Sequence, residues 1–441
     1  MTAGDIIDVT PTELVAGGAA MARVDGMPIF ILGVFPGDRA RIVITEVKKG
    51  FARGELRELL APAPLRREMP CSVAGECGGC DWTALRLDHQ LDAKVKILRD
   101  SLRRIGKLDP DSLPPIRVHP SPLNYRLRSR LHLSNEKTPA LGFFALRSHR
   151  VVPLVAECEV VGPAVLARID DLAADLASSG ATSIETFENG RDLVANPIDE
   201  ESEQGKPVSI VVGGFAYRLS TSAFFQGNRH LLPLLHRLVR RAAEETTRRE
   251  VAYDLYAGVG FFTLPLARSF KSVFSVEESP LPHRYARQNA RGAPNVKTIR
   301  RSVEAFLDRG VVADFILVDP PRAGLSPDVT ARLGESNAER IAYLSCDPVT
   351  FSRDAARLAR RGWGICSLDL VDLFPNTHHV ETFATFAPPL TPSPRRRRGE
   401  GTSIEVATSP RRVRGALGGA RDLASAKRIP RRDLYFVLQS T

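Results

Sequence analysis

The chain has 441 residues, more than one compact core usually holds, so we expect two or three domains. Its hydrophobic content of 43% and charged content of 25% are ordinary for a folded, water-soluble protein, and no apolar run is long enough to span a bilayer. The N-terminus lacks the basic and apolar segments of a signal peptide, so we expect a cytoplasmic protein with no membrane association.

The net charge of +10 suggests a nucleic-acid partner, but most of it belongs to one end of the chain. Residues 388–441 contain 12 basic and 4 acidic side chains, so the remainder is close to neutral. This segment is rich in Arg, Pro, Ser and Gly, and we predict that it is disordered. The local cluster of Arg126, Arg128 and Arg130 is better evidence for contact with nucleic-acid phosphates.

Short strands broken by glycines are predicted for residues 1–60. Apolar runs at 6–9, 28–32 and 40–44 alternate with turn sequences such as Gly17-Gly18. So many short strands in 60 residues favour a small β-barrel of the kind that binds oligonucleotides. A purely structural β-domain is the alternative.

The region 61–219 is predicted to be a central, β-rich domain that contains a cysteine cluster. Cys71, Cys77 and Cys80 lie close together, and six cysteines are too few for a disulfide framework, so the cluster suggests metal ligation. An amphipathic helix is expected at 85–105 and a second helix at 170–178.

Helices and strands alternate in the region 220–387. The strand-like runs lie at 251–256, 272–276, 315–318 and 340–345. This alternation predicts a doubly wound parallel sheet, so the whole chain reads as a multidomain α/β protein with a Rossmann-like domain.

A glycine turn at Gly258 and Gly260 follows the first of these strands. Glu277 ends the next strand, where a carboxylate can accept hydrogen bonds from ribose hydroxyls. A dinucleotide site would place a third glycine at the position of Thr263, so an adenosyl cofactor without phosphates fits better. The alternative is a glycine turn that binds no ligand.

Cys346 follows the strand 340–345, and the segment that begins at Asp319 follows the strand before it. Both therefore point to the crevice beyond the carboxyl ends of the strands. A thiolate there can add to C6 of a uracil ring and make C5 reactive towards a methyl group, and Glu381 is a candidate to remove the C5 proton. The alternative is a small buried core cysteine.

The segment 221–228 contains two adjacent aromatic residues and an amide. Gln226 is suited to hydrogen-bond a cofactor or the edge of a base, and Phe224 to stack on a base. The alternative is a buried aromatic pair that precedes a helix.

With these residues in place, the chain resembles the RNA 5-methyluridine methyltransferases over about residues 5–387. Five motifs in the same order carry the resemblance. They are Phe224-Phe225-Gln226, Asp254-Leu255-Tyr256-Ala257-Gly258-Val259-Gly260, Asp319-Pro320-Pro321-Arg322, Ser345-Cys346-Asp347-Pro348 and His379-Val380-Glu381.

The resemblance implies S-adenosyl-L-methionine as cofactor and RNA as substrate. It implies Cys346 as nucleophile and Glu381 as proton acceptor. The cofactor site that it implies is lined by Gln226, Tyr256, Glu277 and Asp319.

The cysteine spacing, completed by Cys158, is similar to the [4Fe–4S] ligand set of one branch of that family. Four thiolates suit zinc as well as iron–sulfur, so the residues alone leave the two nearly even. The resemblance favours iron–sulfur. Residues 1–60 look like a TRAM domain, and this combination is similar to the branch that methylates 23S ribosomal RNA. The transfer-RNA branch ranks second.

Two departures and two rival functions accompany this prediction. Phe261 stands where the family usually has Asn, which puts one polar cofactor contact in doubt, and relatives end soon after the glutamate. The rivals are an RNA-binding protein that has lost turnover and a nicotinamide oxidoreductase. We expect a monomer.

Overall fold

Strands dominate the first 61 residues, as the sequence predicts. The computed structural model describes residues 1–134, 137–190, 192–198 and 205–388; the segment beyond residue 388, for which we predict disorder, lies outside them. The strands are β1 (Ile6–Val9), β2 (Glu13–Leu14), β3 (Ala20–Val24), β4 (Met27–Leu32), β5 (Arg39–Val47) and β6 (Ala52–Ala61). In these described residues they form one sheet in the order β1-β5-β6-β4-β3-β2.

The buried carboxylate of Asp38 ties the end of this sheet to the linker that follows it. It accepts hydrogen bonds from the backbone N–H groups of Phe35 at 2.6 Å and Ala63 at 2.8 Å. Arg66 donates to both of its oxygens, from Nε at 2.8 Å and from Nη2 at 2.7 Å. Asp38 is fully buried and Arg66 nearly so, hence each charge depends on the other.

Asp38→Ala is expected to lower the free energy of unfolding by about 3–5 kcal/mol, because it leaves the Arg66 guanidinium and two N–H groups without their acceptor. Urea denaturation of the full chain measures this. Asp8→Ala is the matched control, since Asp8 forms an exposed ion pair with Arg41 and its loss should cost less than about 1 kcal/mol. Equal effects of the two variants would contradict the prediction.

The central region combines helices with a five-stranded sheet, a count that refers to its described residues. Its elements are α1 (Leu87–Arg104), β7 (Ile116–His119), β8 (Arg128–Leu133), β9 (Leu141–Phe144), β10 (Val151–Pro153), α2 (Pro163–Leu166), α3 (Ile169–Ser179), β11 (Ser183–Glu188), β12 (Leu193–Ile198), β13 (Pro207–Val212) and β14 (Phe215–Ser220). The sheet order is β10-β9-β8-β11-β12, and β13 and β14 form a separate hairpin. Both predicted helices of this region, α1 and α3, are confirmed.

Within the arginine cluster that the sequence predicted to contact phosphates, Arg128 and Arg130 lie on β8 and share one carboxylate, and Arg126 precedes that strand, so the contact with phosphates stays a prediction. Arg128 and Arg130 both donate to Oε1 of the buried Glu185 on β11, at 2.8 Å and 2.7 Å. Arg126 lies over the ring of Phe143, with 5.1 Å between its guanidinium carbon and the ring centroid. Cross-strand pairing with a buried carboxylate explains why the cluster exists, and sequence spacing alone did not reveal it.

The remaining described residues form the predicted doubly wound domain. Its elements are α4 (Leu232–Glu244), β15 (Val251–Leu255), α5 (Thr263–Ala267), β16 (Ser272–Val276), α6 (Pro280–Asn289), β17 (Val296–Ile299), α7 (Val303–Leu307), β18 (Phe315–Val318), α8 (Pro327–Gly334), β19 (Arg340–Ser345), α9 (Pro348–Ala359), β20 (Gly364–Val371) and β21 (Glu381–Ala387). The sheet order is β17-β16-β15-β18-β19-β21-β20-β7. Thus the multidomain α/β fold class is confirmed.

The strand order places the predicted site at a topological switch point. β15 pairs in parallel with β16 on one side and with β18 on the other, and β19 follows β18 in parallel. The strands that follow β15 in sequence are therefore placed on opposite sides of it, which opens a crevice at the carboxyl ends of the strands. The loops that carry Gly258, Asp319 and Cys346 all start at this edge.

Part of the central region contributes to this sheet. β7 pairs in parallel with β20, and helix α1 packs against α9. Residues Met1–Pro389 form one compact unit, so the boundaries at residues 60 and 219 stay a prediction.

In the part of the chain that the structure describes, no helix has the length and apolar character needed to cross a bilayer.

Candidate active site

The turn after β15 has an unusual backbone. Tyr256, Gly258 and Gly260 have φ angles of 61°, 55° and 85°, all in the left-handed region. Glycine adopts this conformation freely, whereas a tyrosine held there stores strain of about 1–3 kcal/mol. Strain of this kind is typical of functional sites, and here it lies at the carboxyl end of the central strand β15.

Glu277 stabilises this turn from the end of β16. Its Oε2 accepts a hydrogen bond from the N–H of Gly258 at 3.0 Å, and its Oε1 accepts one from Ser279 at 2.7 Å. A carboxylate has about four lone-pair positions, so these bonds leave capacity for donors such as ribose hydroxyls.

Asp319 and Gln226 meet in the crevice. The amide Nε2 of Gln226 donates to Oδ2 of Asp319 at 2.9 Å. Burial raises the pKa of Asp319 to about 8, and the negative charge of Asp254 adds to the rise, while the Gln226 bond opposes it. The contact joins two predicted site residues that lie far apart in sequence.

Asp254 is fully buried beneath the crevice. Thr263 donates a hydrogen bond to its Oδ2 at 2.5 Å, and burial raises the pKa of this carboxyl to about 7. Its other oxygen, Oδ1, has no partner among the described residues. Thr263, which replaces the third glycine of a dinucleotide motif, thus has a structural role.

Cys346 lies close enough to Glu381 to feel its charge. Burial and the nearby Glu381 together raise the pKa of the Cys346 thiol to about 12, although Arg322 opposes the rise. Burial likewise raises the pKa of Glu381 well above its ordinary value, and Asp319 adds to the rise. The predicted nucleophile, the predicted base and Asp319 are therefore near enough to interact electrostatically, and their catalytic roles stay a prediction.

The two loops that carry Asp319 and Cys346 are held together by α9. Asp347 caps this helix by accepting a hydrogen bond from the N–H of Thr350 at 2.7 Å. The hydroxyl of Thr350 donates to the carbonyl of Arg322 at 3.0 Å, and the buried Asp354 accepts from the N–H of Leu325 at 2.7 Å. Sequence reasoning missed this clamp.

Phe224, Phe225 and Phe261 have different environments. Phe224 is 50% exposed, as a base-stacking side chain must be, whereas Phe225 is buried. Phe261 packs against Phe225 with 5.1 Å between ring centroids, and its carbonyl accepts a hydrogen bond from Tyr217 at 2.8 Å. The departure at Phe261 is therefore a core residue of an aromatic cluster.

Comparison with known proteins decides the family. A model described as tRNA (Uracil-5-)-methyltransferase matches residues 205–386, and the TRAM domain model matches residues 2–56. The 23S rRNA (uracil(1939)-C(5))-methyltransferase RlmD of Edwardsiella ictaluri is 31% identical, covering 86% of this chain and 95% of its own. An uncharacterised RNA methyltransferase of Gloeobacter violaceus is 30% identical, covering 87% and 96%.

The chain belongs to the RNA uracil-C5 methyltransferases. A crystal structure of the Pyrococcus abyssi tRNA (uracil-54, C5)-methyltransferase with S-adenosyl-L-homocysteine shares the fold, with a TM-score of 0.66 and 24% identity. The match covers 86% of this chain and 99% of that one. The predicted recognition of this enzyme family and of an N-terminal TRAM domain is thereby confirmed.

The methyltransferase holds the loop before Glu381 with a buried network centred on Asn376. Asn376 has φ 65° and is fully buried. Its side-chain oxygen accepts from Arg67 at 3.0 Å and from Gln90 at 3.1 Å, and its amide donates to Glu159 at 2.8 Å. All three partners come from the central region, so this network joins the central region to the active site.

Asn376→Ala is expected to lower the free energy of unfolding by about 2–4 kcal/mol, because it leaves buried partners unsatisfied and places alanine in the left-handed region. Urea denaturation measures the change. The exposed Asn337, changed to alanine, is the control and should shift stability by less than about 0.5 kcal/mol. A loss for Asn376→Ala no larger than that of the control would contradict the prediction.

The four predicted cluster cysteines line one small, mostly apolar cavity in the central region. Cys71, Cys77, Cys80 and Cys158 share it with Phe143. Burial, with a smaller contribution from nearby Cys158, raises the pKa of Cys80 to about 12. Among the described residues, however, no three His, Cys, Asp or Glu side chains already have the arrangement of a metal site. The donor set is all sulfur, which suits iron–sulfur or zinc.

Proposed function

We propose that this methyltransferase transfers a methyl group from S-adenosyl-L-methionine to C5 of a uridine in 23S ribosomal RNA, through a covalent bond to Cys346. The observation that supports the proposal is that the charges of Glu381 and Asp319 act on Cys346, at the sheet edge where the strained turn after β15 also lies. The family supports the reaction type.

The cofactor site is proposed to consist of Gln226, Tyr256, Glu277 and Asp319. Glu277 is held at the glycine turn, where its carboxylate can accept hydrogen bonds from the ribose hydroxyls. Gln226 and Asp319 form the polar wall of the crevice. S-adenosyl-L-methionine supplies an electrophilic methyl group when bound. Phe224, half exposed and two residues before Gln226, is suited to stack on the target base.

In the proposed reaction, Cys346 forms the covalent bond to the uracil ring and Glu381 removes the proton. The thiolate of Cys346 adds to C6 of uracil, and the electrons that this addition moves onto the ring make C5 nucleophilic. After C5 has gained the methyl group, the carboxylate of Glu381 takes the C5 proton. The electron pair of that C–H bond reforms the ring double bond and expels the Cys346 thiolate.

The raised pKa of Cys346 predicts that RNA attack accelerates with pH. The thiol is neutral near pH 7, so the reactive thiolate fraction rises roughly tenfold per pH unit below the pKa of about 12. Glu381 must also be ionised, which favours higher pH as well. Single-turnover release of tritium from C5-labelled uridine RNA between about pH 6 and 8.5 tests this. A flat profile over that range would contradict it.

The RNA class is proposed from the relatives. The Edwardsiella ictaluri relative acts on 23S ribosomal RNA, and the N-terminal TRAM domain supports an RNA-binding role. Transfer RNA is the second candidate, since the Pyrococcus abyssi enzyme with this fold acts on it. Incubation with labelled S-adenosyl-L-methionine and separate 23S rRNA and tRNA transcripts, followed by nucleoside digestion, tests the choice. Methylation of tRNA alone would reject the ribosomal assignment.

Cys71, Cys77, Cys80 and Cys158 are proposed to hold a [4Fe–4S] cluster. Their shared apolar cavity and all-sulfur donor set support it. Such a cluster would cross-link the central region beside the Asn376 network, since Asn376 also lines the cavity. Iron and sulfide analysis of anaerobically purified protein tests the proposal, and a zinc-loaded, iron-free protein would reject it.

A further inference from the structure

A groove of about 330 Å³ lies between the TRAM domain and the central region, away from the residues assigned above. Two exposed arginines line it, Arg53 from β6 and Arg147 from the turn between β9 and β10. Phe30 and Leu32, both half buried on β4, supply apolar surface. None of its lining residues, all within the described part of the chain, is acidic. They are Val15, Ala16, Gly17, Ala19, Phe30, Leu32, Thr45, Arg53, Gly54 and Arg147.

The backbone at Arg147 has an energetically unfavourable conformation. Its φ is 58°, the left-handed region that a non-glycine residue seldom adopts. Neighbouring backbone fixes the turn, because Leu146 donates to the carbonyl of Glu76 at 3.0 Å and Ser148 donates to Ala145 at 3.1 Å. Arg147 pairs with Glu55 and Arg53 pairs with Glu46, and because both ion pairs are exposed, a phosphate can replace either carboxylate with little loss.

The groove is connected to the catalytic crevice by a continuous set of contacts. Gly17 lines the groove, and the next residue, Gly18, packs so closely on His378 that a Cβ there would lie 2.9 Å from its ring. The rings of His378 and His379 lie 4.4 Å apart, and His379 Nδ1 is 3.5 Å from Arg322 Nη2. The groove and the crevice are thus joined through directly contacting residues, with the carboxylate of Asp81 hydrogen-bonded to His378 between them.

We propose that this groove binds one unpaired nucleotide of the substrate RNA, a few positions from the target uridine. Arg53 and Arg147 contact the phosphates on its two sides, and the base lies against Phe30 and Leu32. The occupant is a nucleotide because the groove combines two cations with an aromatic and aliphatic wall. This proposal depends on the proposed RNA methylation only in taking the bound strand to be the substrate RNA.

Binding of a fluorescein-labelled, single-stranded uridine decamer to the full-length protein tests the site by anisotropy. Arg147→Ala and Ala16→Trp, which respectively remove charge and fill the groove, are expected to raise Kd roughly fivefold to tenfold. Arg147→Ala should also lower the slope of log Kd against log salt by about one. Arg150→Ala is the matched control, because Arg150 lies in the same hairpin and pairs with Glu76 outside the groove.

The groove proposal is overturned if Arg147→Ala and Ala16→Trp bind the decamer as Arg150→Ala does, or if Arg150→Ala weakens binding equally. Should Ala16→Trp fail to fold, as judged from its Tm, Arg53→Ala replaces it. Under the proposal, these groove variants raise KM for RNA and leave kcat within about twofold, since no groove residue touches the reacting atoms. A wild-type protein that binds the decamer but methylates no RNA would instead count against the proposed chemistry.

Discussion

Cys346→Ala is expected to abolish the covalent complex that the enzyme forms with RNA containing 5-fluorouridine. Fluorine at C5 cannot leave as a proton does, so the adduct between the enzyme and C6 persists and is visible as a shifted band on a denaturing gel. Removing the nucleophile should also lower methyl transfer by at least about 10³-fold. The thiol is half buried beside Glu381, which suits a protected nucleophile that the substrate must reach.

Cys366→Ala is the control for this experiment. Cys366 is an exposed cysteine on β20, and the Cys366→Ala protein should form the adduct at the wild-type rate. Persistence of the shifted band in Cys346→Ala would show that another group attacks the ring. Absence of a band in the wild-type protein, with S-adenosyl-L-methionine present, would remove the covalent mechanism altogether.

Glu381→Gln is expected to trap a methylated covalent complex on ordinary uridine RNA. Addition and methyl transfer precede the step that needs the base, so the complex accumulates, while release of product slows by about 10²–10⁴-fold. The change also removes a negative charge that raises the pKa of Cys346, so adduct formation should not slow. Gel shift with RNA and methyl-labelled cofactor measures both the complex and its decay.

Glu278→Gln is the matched control, because Glu278 is exposed and is not among the main charges acting on Cys346 or Glu381. It should turn over at the wild-type rate without trapped complex. If Glu381→Gln shows normal turnover instead, another group removes the C5 proton. If it forms no complex, Glu381 acts before the elimination step.

The motifs of the Rossmann-like domain could be read from the sequence because parallel strands end at one edge of a sheet. Apolar runs identify β15, β18 and β19, and the residues that follow them must meet. This rule predicted that Gly258, Asp319 and Cys346 would share a crevice. It does not predict which partners those residues find there.

Interactions between distant segments were not predictable in this way. Glu185 pairs with both Arg128 and Arg130 across a strand pairing whose register the sequence does not reveal. Lys94, fully buried, pairs with Asp372 at 2.6 Å although 278 residues separate them. No local periodicity specifies a contact of this kind, since it depends on how whole elements pack.

The amino-acid sequence by itself determined the order of strands and helices, the positions of the glycine turn, Cys346 and Glu381, and the family, because these depend on local patterns and ordered motifs. Only the tertiary structure decided that Asn376 locks the loop before Glu381, that Phe261 belongs to a core cluster, and that Arg147 faces the TRAM domain across a groove. The physical reason is that burial and long-range hydrogen bonding, which define these roles, exist only once the separate regions are packed together.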